Sequence, residues 1–192
     1  LGLKDISFDL KAGQTLGVYG PVGSGKTTLV HVLCGLIPCS PGELYMAGCD
    51  VSEWKRSAQR EAIAMVPQNA FLFSKTIREN VGFWSQPHQI DKQQVINSVA
   101  RAAMSDEVAR LSNGLDTVIG ERGLTLSGGQ RQRLQLARAF YRPYDLLILD
   151  DALSAVDHET EERLLQERAS RPQQGKEPHS QVIVAHRLSA LL

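Results

Sequence analysis

Eight residues with three glycines, a lysine and a threonine carry the clearest chemistry in this sequence. They read GPVGSGKT, residues 20–27, and lie between an apolar run ending at Tyr19 and a segment with Leu29 and Val32 at helical spacing. Glycines let a backbone close around a phosphate chain, and a helix N-terminus adds partial positive charge. The pattern G-x-x-x-x-G-K-[ST] between a strand and a helix therefore predicts a phosphate-binding loop for a nucleoside triphosphate.

The lysine and the hydroxyl residue at the end of the loop have separate expected roles. Lys26 is expected to reach the β and γ phosphates, and the Thr27 hydroxyl is a candidate Mg²⁺ ligand. A glycine-rich turn without a ligand is the alternative, but it does not account for the whole pattern in this context. The residues predicted to bind the nucleotide through this loop are Gly20, Pro21, Val22, Gly23, Ser24, Gly25, Lys26, Thr27 and Thr28.

An aspartate at the end of an apolar run is the second candidate. In LLILDD, residues 146–151, four apolar residues precede Asp150. A continuous apolar run is typical of a strand buried on both faces, and parallel sheets bind ligands beyond the carboxyl ends of their strands. Asp150 is therefore expected to hold Mg²⁺, usually through water, although an aspartate there could instead cap a helix.

A longer motif then indicates the class of protein. LSGGQRQRLQLARAF, residues 126–140, lies just before the Asp150 strand and resembles the signature sequence of the ABC (ATP-binding cassette) ATPases. Gln68 in VPQNAFLF resembles the family's Q-loop glutamine, SAVD at residues 154–157 its D-loop, and His186 after VIVA its switch histidine. TVIGERG, residues 117–123, resembles the stretch that exporters place before the signature.

Each of these residues also has a plainer reading. Ser127 and Gln130 could merely cap a helix, Asp157 is a plausible N-cap, Gln68 an ordinary loop residue and His186 an ordinary strand-end residue. These separate explanations do not account for the order in which all the motifs occur along the chain. The resemblance covers nearly the whole chain.

The resemblance implies a mechanism that needs two such domains. In the family, two domains pair head to tail around two ATP molecules, so Ser127, Gly128, Gly129 and Gln130 would contact the partner's nucleotide. Gln68, with Thr27 and Asp150, would serve Mg²⁺. Lys26, Gln68, Asp151 and His186 would be the catalytic residues, Asp151 and His186 positioning water and γ-phosphate. The implied cofactors are ATP and Mg²⁺. Closure of the pair would drive export through a membrane-embedded domain.

Asp151 departs from the family pattern, which usually has Glu directly after the Mg²⁺ aspartate. Asp is one methylene shorter, and misplacement by about an ångström can cost about 10²-fold in rate. Asp at this place, followed by ALSAVD, resembles the weaker subunit of heterodimeric exporters of the multidrug or lipid type. Two alternatives stay open: a nucleotide-binding module with little or no turnover at its own site, and a soluble ABC ATPase of DNA repair or translation. Members of the latter class usually carry long coiled-coil insertions or a second cassette, and neither is visible here.

The expected partners are a second nucleotide-binding domain and transmembrane domains fused upstream. Lys plus Arg and Asp plus Glu both number 21, so a net charge of +0 gives no reason to expect nucleic acid. No apolar run approaches the roughly 20 residues of a membrane span. We expect a soluble piece of a longer transporter at the cytoplasmic face of the cell membrane. The family's adenine-stacking aromatic would precede Leu1, so a frayed sheet edge and weaker nucleotide binding are expected. Cys34, Cys39 and Cys49 fit no metal framework and are expected to be reduced thiols.

The fold expected from these patterns is α/β. We expect a P-loop NTPase core with a mostly parallel sheet, a small antiparallel β part at the N-terminus, and an inserted helical subdomain. The core would occupy about residues 1–68 and 142–192 of one ABC ATPase domain spanning 1–192, and the helical subdomain about 69–141. Residues 6–10 and 14–19 are expected to be strands, and Thr76, Asp91 and Ser127 to cap helices.

Overall fold

A computed structural model describes residues 3–69, 71–120, 126–153, 156, 160 and 179–185. The chain divides into two compact units. The first comprises Leu1–Met65, Pro143–Asp151 and Gln173–Leu192, and the second comprises Val66–Arg142 and Ala152–Pro172. The strands are β1 Thr15–Tyr19, β2 Tyr45–Met46, β3 Cys49–Asp50, β4 Ile63–Val66, β5 Leu146–Asp150 and β6 Ser180–Ala185. The helices are α1 Lys26–Leu33, α2 Arg56–Ala62, α3 Ile77–Val81, α4 Lys92–Arg101, α5 Ser105–Ala109 and α6 Gly128–Phe140.

A four-stranded sheet in the order β1-β6-β5-β4 forms the centre of the first unit. Strand β6 pairs in parallel with β1 on one side and with β5 on the other. Every residue of β5 is buried, as its continuous apolar run predicts. Helix α1 packs on this sheet through Leu29, Val30 and Leu33, which share a core with Ile148 of β5. The parallel α/β core expected from the sequence is confirmed.

The α1 helix ends earlier than the spacing of its apolar residues suggests. Leu36 continues that spacing, but it lies outside the helix and is exposed. Gly35 takes a left-handed conformation (φ 68°). Its N–H donates to Val32 O, and the Leu36 N–H donates to His31 O, which closes a Schellman motif. Glycine adopts this conformation at little cost, so it stops the helix there.

The antiparallel part is smaller than expected. Strands β2 and β3 form a two-stranded antiparallel hairpin, which confirms the prediction for this region. The strand predicted over residues 6–10 is wrong: these residues have no strand assignment, and Ile6 and Phe8 are largely exposed. A strand needs a neighbour for its backbone hydrogen bonds, and among the described residues β2 and β3 pair only with each other.

The second unit is mainly helical within its described residues, and three side chains cap its helices as predicted. Thr76 and Glu79 form a capping box at α3, and Ser127 and Gln130 form another at α6. Asp91 accepts hydrogen bonds from two backbone N–H groups at the start of α4. Helix α6 contacts both α3 and α4. The segment ETEERLLQERA lies almost entirely outside the described residues.

Candidate nucleotide-binding site

Two glycines allow the loop between β1 and α1 to fold back on itself. Gly23 and Gly25 have φ of 81° and 94°, where side chains with a Cβ are strained. Gly25 is also the N-cap of α1 and provides no side chain to accept hydrogen bonds from the first turn. The first N–H groups of α1 are therefore left for an anion, and the helix dipole favours negative charge at the same place.

Lys26 turns back over this loop and is 8% exposed. Its Nζ donates to Gly20 O at 2.6 Å and to Pro21 O at 2.8 Å. An ammonium has three donors, so these two bonds leave one for a further acceptor. The loop thus holds a positive charge beside uncapped N–H groups, which is what binding a phosphate chain requires.

The register of the sheet brings Asp150 to the same edge as the loop. Tyr19, the last residue of β1, lies beside Ala185 of β6, while Asp150 lies beside Val184 on the other side of that strand. Two strand spacings separate β1 from β5, so the backbone of Asp150 lies about 10 Å from the start of the loop. Asp150 is 6% exposed. Its carboxylate adds to the effect of burial in raising the pKa of the Cys34 thiol to about 11.

Asp151 has an unusual backbone that the sequence did not reveal. Its φ is 51°, in the left-handed region, and its N–H donates to Val184 O at 2.9 Å. Asp and Asn are the residues other than glycine that most often adopt this conformation. The chain therefore turns sharply as it leaves β5, and β6 fixes that turn.

The residues at this sheet edge fit Mg²⁺ through the chemistry of their donors. Mg²⁺ prefers oxygen ligands, and it usually takes one or two protein oxygens and completes its coordination with phosphate and water. Asp150 offers a carboxylate and Thr27 a hydroxyl, in the unit that carries the phosphate-binding loop. Among the described residues no cluster of three or more His, Cys, Asp or Glu forms a metal site independent of such phosphates.

The predicted signature lies at the N-terminus of α6, in the second unit. Ser127 Oγ accepts from the Gln130 N–H at 3.2 Å, and Gln130 Oε1 accepts from the Ser127 N–H at 2.9 Å. Arg131 donates to Leu126 O at 2.6 Å, which ties the preceding loop to the helix. The plainer reading of Ser127 and Gln130 as caps is therefore correct. It leaves the first N–H groups of α6, those of Gly128 and Gly129, for an anion.

The other predicted site residues fall in different places. Gln68 is exposed, two residues beyond β4, and belongs to the second unit. The structure therefore groups the phosphate-binding loop with Asp150 and Asp151, and it groups Gln68 with the signature. His186 and the predicted D-loop residues Ser154, Ala155 and Asp157 lie outside the described residues. Ala185, which precedes His186, ends β6 beside Tyr19.

Comparison with protein families now decides the class. The model of the ABC transporter family matches residues 3–154. The chain belongs to the ABC transporter family. This match includes the phosphate-binding loop, Gln68, the signature, Asp150 and Asp151, and it confirms the resemblance carried by those motifs.

Relatives of this ABC domain include a protein named as a flippase and one named as an export permease. The ATP-dependent lipid A-core flippase of Burkholderia orbicola (strain AU 1054) is 41% identical over 189 residues, which are 98% of this chain and 31% of the flippase. The beta-(1→2)glucan export ATP-binding/permease protein of Agrobacterium vitis is 38% identical, over 99% of this chain and 32% of that protein. The chain thus spans about a third of the length of these relatives.

A solved structure has the same fold. A bacterial Atm1-family ABC exporter with ATP bound aligns with a TM-score of 0.87 and 33% identity, over 97% of this chain and 32% of the exporter. The chain is therefore homologous to the ATPase domains of ABC exporters. Within its described residues no helix is both long enough and apolar enough to span a bilayer.

Proposed function

We propose that this ABC domain binds Mg-ATP at the β1–α1 loop and hydrolyses it to power export through a membrane domain. The observation that carries the proposal is the Lys26 ammonium folded over an uncapped helix N-terminus, with Asp150 at the same sheet edge. The relatives support the coupling to export, because two are named as a flippase and an export permease.

The predicted site residues would divide the chemistry between binding and catalysis. Lys26 and the backbone N–H groups of the loop would hold the β and γ phosphates. Bound Mg²⁺ would neutralise phosphate charge, with Thr27, Asp150 and Gln68 as its protein ligands. The Asp151 carboxylate would accept a hydrogen bond from the attacking water and orient it toward phosphorus. His186 would donate to a γ-phosphate oxygen. The products would be ADP and phosphate.

The signature would act on a second copy of the domain or on a related one. Its N–H groups at Gly128 and Gly129 lie in a different unit from the phosphate-binding loop, and the family pairs its domains head to tail. In that arrangement Ser127 and Gln130 would hold the α6 N-terminus against the partner's γ-phosphate. The second unit would contact the transmembrane domains, and the whole would lie at the cytoplasmic face of the membrane.

Replacing Lys26 tests the phosphate-binding part. Hydrogen bonds to charged groups contribute about 1.5–3 kcal/mol, so Lys26→Ala should weaken Mg-ATP binding about 10–150-fold. Titration calorimetry measures this affinity. Lys4→Ala is the matched control, because it removes an exposed lysine from the same unit. Equal affinity in Lys26→Ala and the parent would contradict the assignment.

Replacing Ser127 tests action on the partner. In the full-length assembled protein, Ser127→Ala should lower steady-state ATP hydrolysis sharply while leaving ATP affinity at its own loop unchanged. The expected loss reflects a disordered α6 N-terminus at the partner's site. Normal turnover in Ser127→Ala, or fast turnover by a strictly monomeric sample, would refute the head-to-tail arrangement.

A second candidate function is nucleotide binding with little turnover. The observation that favours it is Asp151, which is shorter than the glutamate of the family pattern. In that case one ATP would act mainly as a structural clamp, while this chain's signature completes a competent site on a different subunit. A single-turnover assay of the assembled dimer separates the two functions, because only a hydrolytic site forms ADP at this domain.

A further inference from the structure

Four aromatic rings form a continuous row on the second unit. Phe71 meets Phe73 edge to face, Phe73 stacks on Phe83 at 4.7 Å between ring centroids, and Phe83 meets Trp84 edge to face. Phe71, Phe83 and Trp84 are 53%, 44% and 58% exposed. We call these four residues the aromatic row. Exposed groups of aromatic side chains are typical of surfaces that bind a partner.

One side chain of α6, the helix that begins at the signature and is called the signature helix here, contacts this row. The Arg138 guanidinium donates from Nη1 to Phe71 O at 2.9 Å, from Nε to Asn80 O at 2.8 Å and from Nη2 to Asn80 Oδ1 at 2.8 Å. It also lies 5.3 Å from the ring centroid of Phe73 and 5.5 Å from that of Phe83. A planar guanidinium can make all these contacts at once, whereas an ammonium cannot.

Asn80 extends the contact to the loop that precedes α3. It is fully buried, and its Nδ2 donates to Phe73 O at 3.0 Å and to Thr76 O at 3.0 Å. Its Oδ1 accepts from the Phe73 N–H at 2.9 Å as well as from Arg138. The backbone of residues 71–76 is thus bonded to α3 and α6 through two side chains.

Arg138 is a partly buried cation. Among the described residues no carboxylate forms an ion pair with it, and burial lowers its pKa to about 10. Burying an unpaired cation is unfavourable unless its donors are satisfied. Three of its five N–H donors bond to carbonyl-type oxygens here, and the guanidinium also lies near two aromatic rings. The guanidinium thus provides directed hydrogen bonds to fixed oxygens in addition to packing.

We infer that Arg138 is a positioning residue that fixes the aromatic row to the signature helix. Arg138 lies eleven residues after Ser127 on one continuous helix, a separation of about 16 Å. A partner that displaces the row would therefore displace the N–H groups of Gly128 and Gly129 with it. The inference rests on the proposed function, since only a signature that acts at a phosphate makes such displacement matter.

The test uses the full-length assembled protein with Arg138→Ala, Arg138→Lys, Ser127→Ala and Arg78→Ala. Arg78→Ala is the control, because it removes an exposed ion pair with Asp116 from α3. For each variant, kcat and KM for Mg-ATP are measured per folded molecule, and amide exchange is followed over residues 71–76 and 128–134. Arg138→Ala should lower kcat up to about 10²-fold, the scale of an ångström of misplacement, with KM within about 2-fold. Exchange should rise in both segments.

Arg138→Lys separates positioning from a simple requirement for charge or stability. It keeps the charge and most of the volume but loses the planar set of N–H donors. It should therefore show the same lowered kcat at near-normal thermal stability. It also keeps the test decisive if Arg138→Ala does not fold. Normal kcat in Arg138→Lys, or exchange that rises in only one segment, would overturn the inference. If Ser127→Ala also keeps normal turnover, the proposed function fails instead. If Ser127→Ala loses turnover and the Arg138 variants do not, the inference alone fails.

Discussion

Asp151→Glu should make this domain less stable and more active at the same time. Asp151 has φ 51°, and its N–H is bonded to Val184 O in the adjacent strand, so the turn cannot relax without breaking that bond. A left-handed conformation costs about 1–2 kcal/mol for an ordinary residue and less for Asp or Asn. Replacing Asp by Glu should therefore lower the free energy of unfolding by about 1 kcal/mol. For a domain of this size that is a decrease of about 2–4 °C in Tm.

The same substitution should raise hydrolysis at this domain's own site. One added methylene moves the carboxylate forward by about an ångström, and geometric errors on that scale are worth up to about 10²-fold. Asp151→Asn is the matched variant. Asn tolerates the left-handed backbone as well as Asp does, so stability should hold, but a neutral amide cannot accept the water's proton and the rate should fall.

Two measurements decide the matter. Thermal unfolding of each variant gives stability, and single-turnover hydrolysis in the assembled protein gives the rate at this site. The expected pattern is opposite for the two variants: Glu less stable and faster, Asn equally stable and slower. If Asp151→Glu leaves both Tm and rate unchanged, neither the strain argument nor the reach argument is correct. A lower Tm without a faster rate would support the strain argument and reject the argument that the Asp151 carboxylate is too short to reach the water.

Three further substitutions follow from the backbone and from buried groups. Gly48→Ala should lower the free energy of unfolding by about 1–2 kcal/mol. The cause would be the φ of 76° alone, because no heavy atom lies within 4 Å of the added Cβ. Gly35→Ala should lower the free energy of unfolding by more than Gly48→Ala does, because its Cβ would also overlap the Gln59 carboxamide. Urea unfolding of the two variants measures both losses, and equal losses would show that this overlap is unimportant. Burial raises the pKa of Cys34 from 9.0 to about 11, so the folded state favours the neutral thiol. Stability from this source is complete below pH 9 and is lost as pH rises toward 11, by about 2–3 kcal/mol at most. Cys34→Ala should remove this part of the pH dependence in urea unfolding between pH 8 and 11, and an unchanged slope would reject the assignment.

Features that depend on neighbours in sequence could be predicted well. The caps at Thr76, Asp91 and Ser127 each join residues two or three positions apart, so the sequence pattern contains the whole interaction. Strand β5 was predictable because a strand buried on both faces needs an uninterrupted apolar run. The phosphate-binding loop was predictable because its glycines serve the backbone rather than distant side chains.

Features that depend on distant partners could not be predicted. Residues 6–10 alternate like a strand, but alternation does not provide a neighbouring strand, and none is assigned there. The sequence shows Arg138 only as one more polar residue of α6. Its role depends on a hydrogen bond to Asn80, 58 positions away, which the sequence pattern does not contain. The left-handed turn at Asp151 depends on Val184, which only the closed sheet brings near. A non-glycine residue in that conformation leaves no pattern in a single sequence.

The central position of β6 has a consequence for how the domain is made. Strands β1 and β5 do not pair with each other; each is bonded to β6, which is formed by Ser180–Ala185, near the end of this chain. During synthesis, about 160 residues must therefore be added after β1 before β6, its neighbour in the sheet, leaves the ribosome. Helices α3 to α6 are complete earlier and can begin to pack sooner. Contacts so distant in sequence form slowly, and unpaired apolar strands aggregate. The interval before β6 emerges is when chaperones would be most needed, and a chain cut before Ser180 would leave β1 without the strand that pairs with it.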